Sequence, residues 1–445
     1  MTTAVNATHG VYLDRYREFE KQQSGAPAWL KALRADAIQA FAEVGFPTTR
    51  LEDWKYTSVA PIANAAFQPA RLEWNAELAD RIRRAPLFDL GCSRLVFVNG
   101  FFSKELSSLS GLPPNVKLTN LTEALSTGAP AIGQHLARYA DFKQHGFTAM
   151  NTAFMDDAAF IEIAKGAALR QPIQILYVST AHGEPHITHP RNLIVVGQEG
   201  QARVIEIHLG LDDAAYFSNA VTEIVAGENS SVDYVKVQQE SVAAFHVATV
   251  VAHQSRNASV ATNSIALGAR LGREDLITIL DGEGAEALLD GLYVTTGTQL
   301  IDNHTTIDHA KPHCSSREFY KGVLDGKSTG VFNGKIIVRQ DAQKTDSKQS
   351  DKNLLLSEDA VINTKPQLEI YADDVKCTHG ATVGQIDSEA IFYLRSRGIG
   401  VKEARNLLIG AFAHEITDRI KHQPLRDRMN AELLARLLPG GPQEV

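Results

Sequence analysis

The chain has 445 residues, 44% of them hydrophobic and 22% charged, with a net charge of -8. At roughly 100–200 residues per domain, this length holds two to four structural units, and the composition is globular rather than disordered or collagen-like. The acidic balance argues against a general nucleic-acid binder, which needs a dense basic surface, and no apolar run approaches the ~18 residues of a membrane span.

The first region, residues 1–150, reads as mainly helical. It opens without a basic stretch followed by an apolar one, so no secretory signal is expected. Residues 28–44, AWLKALRADAIQAFAEV, set Leu30, Leu33, Ala37, Phe41 and Val44 on one helical stripe, which Gly45 and Pro47 stop. A polar segment, FPTTRLEDWKYTS (46–58), follows and carries Trp54 and Tyr56. Farther on, RLVFV (94–98) before Asn99-Gly100 predicts a strand entering a tight turn.

From 151 to 386 the pattern changes to short β-branched runs: ILYV (175–178), NLIVVG (192–197), ARVIEIHLG (202–210), AVTEIVAG (220–227) and SVDYVKVQ (231–238). In ARVIEIHLG, Ile205, Ile207 and Leu209 alternate with Val204, Glu206 and His208, the period of a strand. Turns are expected at Asp281-Gly282, Asp290-Gly291, Asp325-Gly326 and Asn333-Gly334. Such a series fits a sandwich, a barrel or a stacked β-solenoid, and no crisp repeat selects among them. The polar run RQDAQKTDSKQSDKN (339–353) reads as a solvated loop or as polar ladders facing solvent or a neighbouring chain.

Helices return over 387–438. Asp387 can cap one over SEAIFYLRSR, with Gly398 past its end. Ala404, Leu408, Ala411, Phe412, Ile416 and Ile420 predict a second apolar face, with Arg405, Glu415 and Arg419 off it and Pro424 breaking the helix. Leu425, Met429, Leu433 and Leu437 make a third stripe, and the tail at 439–445 is expected to be disordered. These helices either pack on their own domain or offer an amphipathic surface to a partner.

The chemical motifs are few. GVLDGKST (322–329) superficially suggests a phosphate loop, but only three residues separate its glycines where four are needed to wrap a phosphate. There is no GxSxG nucleophile motif and no GxGxxG. His304, His309, His313 and Cys314 crowd together; along a strand 309 and 313 share a face and 304 points the other way. Cys377 and His379, at i and i+2, also share a face in an extended segment, and thiolate with imidazole suits iron or zinc. Two ligands do not close a site, so a second chain would have to supply the rest. Cys92, Cys314 and Cys377 form no CxxC, which argues for a reducing cytosol rather than a disulfide framework.

The stretch from YKGVLDGKSTG to LRSRGI (320–399), with FPTTRLEDWKYTS and FTAMNTAFMDDAAFIEIAKG (147–166), closely resembles the SufB/SufD family of iron–sulfur cluster assembly proteins. VKCTHGATVG is similar to the SufD branch; the SufB branch typically has an acidic-His-acidic sequence there. The resemblance implies a mainly β fold, a right-handed parallel β-helix core flanked by helical N-terminal and C-terminal regions. It implies a non-catalytic subunit of a cytoplasmic scaffold complex with SufB and two copies of the SufC ATPase, supporting de novo cluster assembly and iron acquisition. SufC would dock on residues 387–438, where Phe392, Leu408 and Phe412 are candidate contacts. His379 matches the histidine proposed as a ligand at the SufB interface, and Cys377 matches its neighbouring cysteine. The implied cargo is iron or an iron–sulfur cluster at that interface, with no cofactor held by the isolated chain. A homodimer fits an edge left exposed without SufB. Two rival classes are a β-helix enzyme acting alone on a polymer and a structural brace without metal ligation.

Overall fold

A computed structural model describes residues 2–23, 25–65, 67–71, 74–181 and 185–437; the tail expected to be disordered lies outside them. The β-branched runs become strands that enter two sheets alternately, so that the sheets grow side by side as a parallel β-solenoid of about eight turns. The parallel run of the first sheet goes from Ala159–Ile163 to Val361–Ile370 and that of the second from Ser93–Val98 to Lys376–Gly384, and each sheet starts with one antiparallel strand, Val116–Asn120 and Phe101–Phe102 respectively. Phe245 stacks on Leu271 and Thr329 on Val361, steps of 26 and 32 residues. Register is kept strand on strand while the connecting turns vary in length, which is why no fixed period is visible in the sequence.

Successive side chains of a strand point to opposite faces, and here both faces are buried. Ala202 and Val204 point into a lumen core shared with Tyr234, Val260, Leu289 and Phe332. Ile205, Ile207 and Leu209 point outward, into a core closed by the helices Ala76–Arg84, Val401–Thr417 and Gln423–Leu437. On the outer face of the first sheet, Phe217, Phe245, Val247 and Leu271 pack against Phe41, Phe46 and Phe147 from the N-terminal region.

The N-terminal layer is also fixed by ions. Arg191 and Glu223 pair at 2.9 Å with both side chains fully buried. Glu223 also accepts the backbone N–H groups of Ala137, Tyr139 and Ala140. Arg191 reaches Asn151 and Thr152 in the helix Gly146–Phe154. The FPTTRLEDWKYTS segment forms a second clamp on the same face. Thr57 donates to Asp302 at 2.6 Å, and the Arg273 guanidinium lies 3.7 Å from the Trp54 ring centre while donating to the Asp53 carbonyl.

The predicted helix at 28–44 is present, with Gly45 at its end in the left-handed region, and so is the strand entering the Asn99-Gly100 turn. Two predicted turns are wrong: Asp290-Gly291 and Asn333-Gly334 lie inside the strands Glu286–Thr295 and Thr329–Val338. A Cβ on Gly291 would enter the ring of Tyr320 one turn along, and one on Gly334 would enter the Gln349 amide. These glycines make room in the lumen for large side chains of the adjacent turn.

At the C-terminal end, the Asp387 side chain caps the helix Ser388–Ser396 through the Glu389 N–H, and Gly398 follows with a left-handed φ. The next helix ends at Thr417, and Pro424 falls in the first turn of the final helix rather than breaking the one before. The stripe is rotated from its predicted position. Ala404, Ile409, Ala413, Ile416 and Ile420 are buried, Leu408 and Phe412 are half-buried, and Ala411 is exposed. The cause is Lys321, buried on the outer face of the solenoid, which draws the polar edge over itself by bonding the Phe412 carbonyl and Glu415, while Arg419 pairs with Asp290 at 2.6 Å. Leu425, Met429 and Leu433 are buried as expected.

Candidate functional site at the open end of the solenoid

The last strand of each sheet has a neighbour on one side only. Val361–Ile370 pairs with Thr329–Val338, and Lys376–Gly384 pairs with Asp346–Leu355. Their other edges carry free backbone donors and acceptors, the feature through which strands recruit further strands. Exposed apolar residues surround this end: Val361, Ile370, Tyr371 (64% exposed) and Val383.

Cys377 and His379 sit on this terminal strand. They stack on Ser347 and Gln349, whose side chains are buried in the lumen, so both occupy lumen-side positions of the uncovered last turn. His379 is exposed and Cys377 half-buried. Burial raises the Cys377 thiol, so it needs a cation or a partner's charge to become a thiolate. Among the described residues, no third His, Cys, Asp or Glu completes a donor set with these two. The site offers two ligands and stays open toward whatever covers the end.

Behind it the lumen is polar. Ser347, Gln349, Asp351 and Asn353 of the run at 339–353 point inward, to neither solvent nor a neighbouring chain. Gln349 donates to Glu318 at 2.6 Å, Asn353 donates to Asp351 at 2.6 Å, and Ser347 meets Ser316, which also bonds His309. Burial pushes Glu318 up to about 7, more than the Thr305 and Gln349 hydrogen bonds lower it, and pushes Asp351 up to about 6. An acid whose folded pKa exceeds its unfolded value, 4.5 for Glu318, stabilises the fold while protonated. That contribution is lost as pH rises from the unfolded toward the folded pKa. Glu318→Gln should therefore raise stability at pH 8 by roughly 3 kcal/mol and flatten the slope between about pH 5 and 8. Denaturant melts of both proteins at pH 5.5 and 8 check this; an unchanged difference between the two pH values sinks it.

The three histidines singled out in the sequence are dispersed. His304 lies on the outer face, 3.0 Å from Asp302 in the Arg273 clamp. His309 is buried in the lumen, where burial pushes its imidazole down to about 4. His313 is not on the strand with His309; it occupies an exposed turn with a left-handed φ of 61°. Cys314 is buried with its thiol raised by burial, and Cys92, raised to about 11, lies 3.5 Å from His422. GVLDGKST is a strand end, a turn with Gly326 at positive φ, and the start of the next strand.

Phe392 is 73% exposed on the helix Ser388–Ser396, next to exposed Tyr393. Leu408 and Phe412 are less available, because Phe412 lies against Lys321, whose ammonium is 4.1 Å from its ring centre. Val401 and Leu407 are exposed nearby and escaped the sequence reading, which took the longer stripe as the signal.

These features define a parallel β-solenoid protein coated by helices on both faces, with one uncovered end that presents a thiol and an imidazole. Family models match it over most of its length: "SufBD protein N-terminal region" over residues 6–175 and "SUF system FeS cluster assembly, SufBD core domain" over 177–412. The chain belongs to the SufBD family of iron–sulfur cluster assembly proteins. It is 34% identical to an iron–sulfur cluster assembly SufBD family protein of Synechocystis, covering 89% of this chain and 88% of that one. It is 32% identical to the iron–sulfur cluster assembly protein SufD of Escherichia coli, over 91% and 92% of the two chains. With SufD of Bacillus subtilis the identity is 25%, over 92% and 94%. Among the described residues, no helix is long and apolar enough to cross a membrane.

Proposed function

We propose that this chain acts as the SufD-type, non-catalytic subunit of a cytoplasmic scaffold complex, with a SufB-type paralogue paired to its open end and a SufC-type ATPase docked on its C-terminal helices. The observation that carries this reading is the uncovered last turn. Two unpaired edges, a surround of apolar side chains and an incomplete pair of ligands are completed together when a second solenoid end covers them. His379, with Cys377 beside it, then contributes to a set whose remaining donors come from the paralogue, and the cargo is iron or a nascent cluster. The exposed Phe392, Tyr393, Val401 and Leu407 supply an apolar patch for the ATPase. Without the paralogue, two copies of this chain can cover each other's ends as a homodimer.

Removing everything after residue 386 is a poor test, because it would bare the outer core closed by Ile409, Ala413 and Ile416. Point substitutions separate the two surfaces. When the three proteins are co-purified, Phe392→Asp should lose the ATPase and keep the paralogue, and Val383→Asp should lose the paralogue. A folded wild-type chain that retains neither protein overturns the proposal.

A further inference from the structure

The first turns of the lumen hold a cluster that the open end does not use. His208 comes from the strand Gln201–Gly210, Glu240 follows Ser231–Gln239, and His246 lies near the start of Phe245–Gln254. One donor atom from each lies within 4.8 Å of the others. All three side chains are at least 97% buried. His246 Nδ1 is 2.8 Å from Glu240 Oε2, and its buried Nε2 has no hydrogen-bond partner among the described residues. The rings of His208 and His246 cross at 71°, with centres 4.7 Å apart.

The surroundings are built for ligation. His208 Nε2 lies 2.8 Å from Glu206 Oε1, and Glu206 is itself held by Asn192, Thr222 and Tyr234. Such a carboxylate-to-imidazole bond orients a ligating histidine and makes it more basic. Ser218 and Gln238 donate to Glu240 and fix its carboxylate. Charge points the same way: Lys236 pairs with Glu274 at 2.9 Å, while the groups at ion-pair distance from Glu206 and Glu240 are the imidazoles of His208 and His246. Buried negative charge without a matching cation is costly, and a divalent ion would supply the match.

We propose that His208, Glu240 and His246 form a mononuclear site for a divalent first-row transition ion inside the lumen, with Glu206 as the positioning residue of His208. Two imidazoles and a carboxylate are a ligand set that suits Fe(II) and Zn(II) and leaves coordination positions open. The inference concerns this chain alone and does not rest on the scaffold reading.

The test uses the full chain, stripped with chelator and kept anaerobic. Co(II) is the optical probe, and Fe(II) and Zn(II) are measured as metal retained after gel filtration. The double variant Cys377→Ser/His379→Ala removes the donors at the open end. It should keep the Co(II) d–d bands and the retained ion, and Zn(II) should raise its thermal midpoint as in the wild type. Glu240→Gln, and independently His246→Gln, should weaken retention by about tenfold or more. Absence of retained metal or a midpoint shift in the wild type overturns the site, and so does retention that survives in folded Glu240→Gln and His246→Gln or disappears with the open-end donors.

Discussion

Replacing Arg191 by Met should lower the free energy of unfolding by about 3–5 kcal/mol, the cost of leaving one member of a buried ion pair alone. Met keeps most of the volume, so the effect isolates charge. Glu223 would remain fully buried, still accepting three backbone N–H groups but facing no cation. Asn151 and Thr152 would lose their guanidinium donor at the same time. These contacts tie the segment at 137–140 and the helix Gly146–Phe154 to the first sheet, so the N-terminal layer should loosen with the loss. Denaturant unfolding measures the total, and limited proteolysis within the first 150 residues locates it. The double substitution Arg191→Met with Glu223→Gln should recover part of the loss, because it removes the stranded charge. A single variant within 1 kcal/mol of wild type would falsify the argument.

Replacing His379 by Ala should slow cluster formation by about tenfold or more in the reconstituted complex, while leaving the fold and the co-purification intact. The side chain is exposed and lies on a strand held by its neighbour's backbone, so its loss removes a donor and little packing. Cys377→Ser should act in the same direction but less strongly, since burial keeps that thiol protonated until something draws the proton off. Cluster formation is followed by its visible absorption under anaerobic conditions. A wild-type rate in His379→Ala, with the complex assembled, would leave this chain a structural brace.

The overall plan was legible because it rests on local rules. A three- and four-residue period gave the helices at 28–44 and in the C-terminal region, and short β-branched runs gave the strands from Ile175 to Gln238, with a period of two visible in 202–210. What failed were places where a tertiary neighbour overrides the local signal. Asp290-Gly291 and Asn333-Gly334 carry turn chemistry, yet Tyr320 and Gln349 from adjacent turns require glycine inside a strand. Lys321 rotates the helix that follows residue 400 by binding its polar edge. The run at 339–353 looks solvated because it is polar, and only the stacking of turns reveals that the polar side lines the lumen. Cys377 and His379 were found from spacing, whereas Glu206 and His208 were seen only as one side of an alternating strand. Their relation to Glu240 and His246 spans separate elements, and the signal for it was a polar pair alternating with three large aliphatic residues.

The two ends of the solenoid differ in kind. At its beginning the outermost strands are short and run against their neighbours: Phe101–Phe102 folds back on Phe97–Val98, and Val116–Asn120 pairs antiparallel with Ala159–Ile163. At its finish two strands of 10 and 9 residues are left bare. Growth by strand pairing therefore has a polarity. A bare end can meet another bare end across a twofold or pseudo-twofold axis, and once it does, the strands left outermost are the short antiparallel ones of 5 and 2 residues. The same chemistry on a molecule with two bare ends would polymerise into a fibre; the assembly proposed above would stop at a pair.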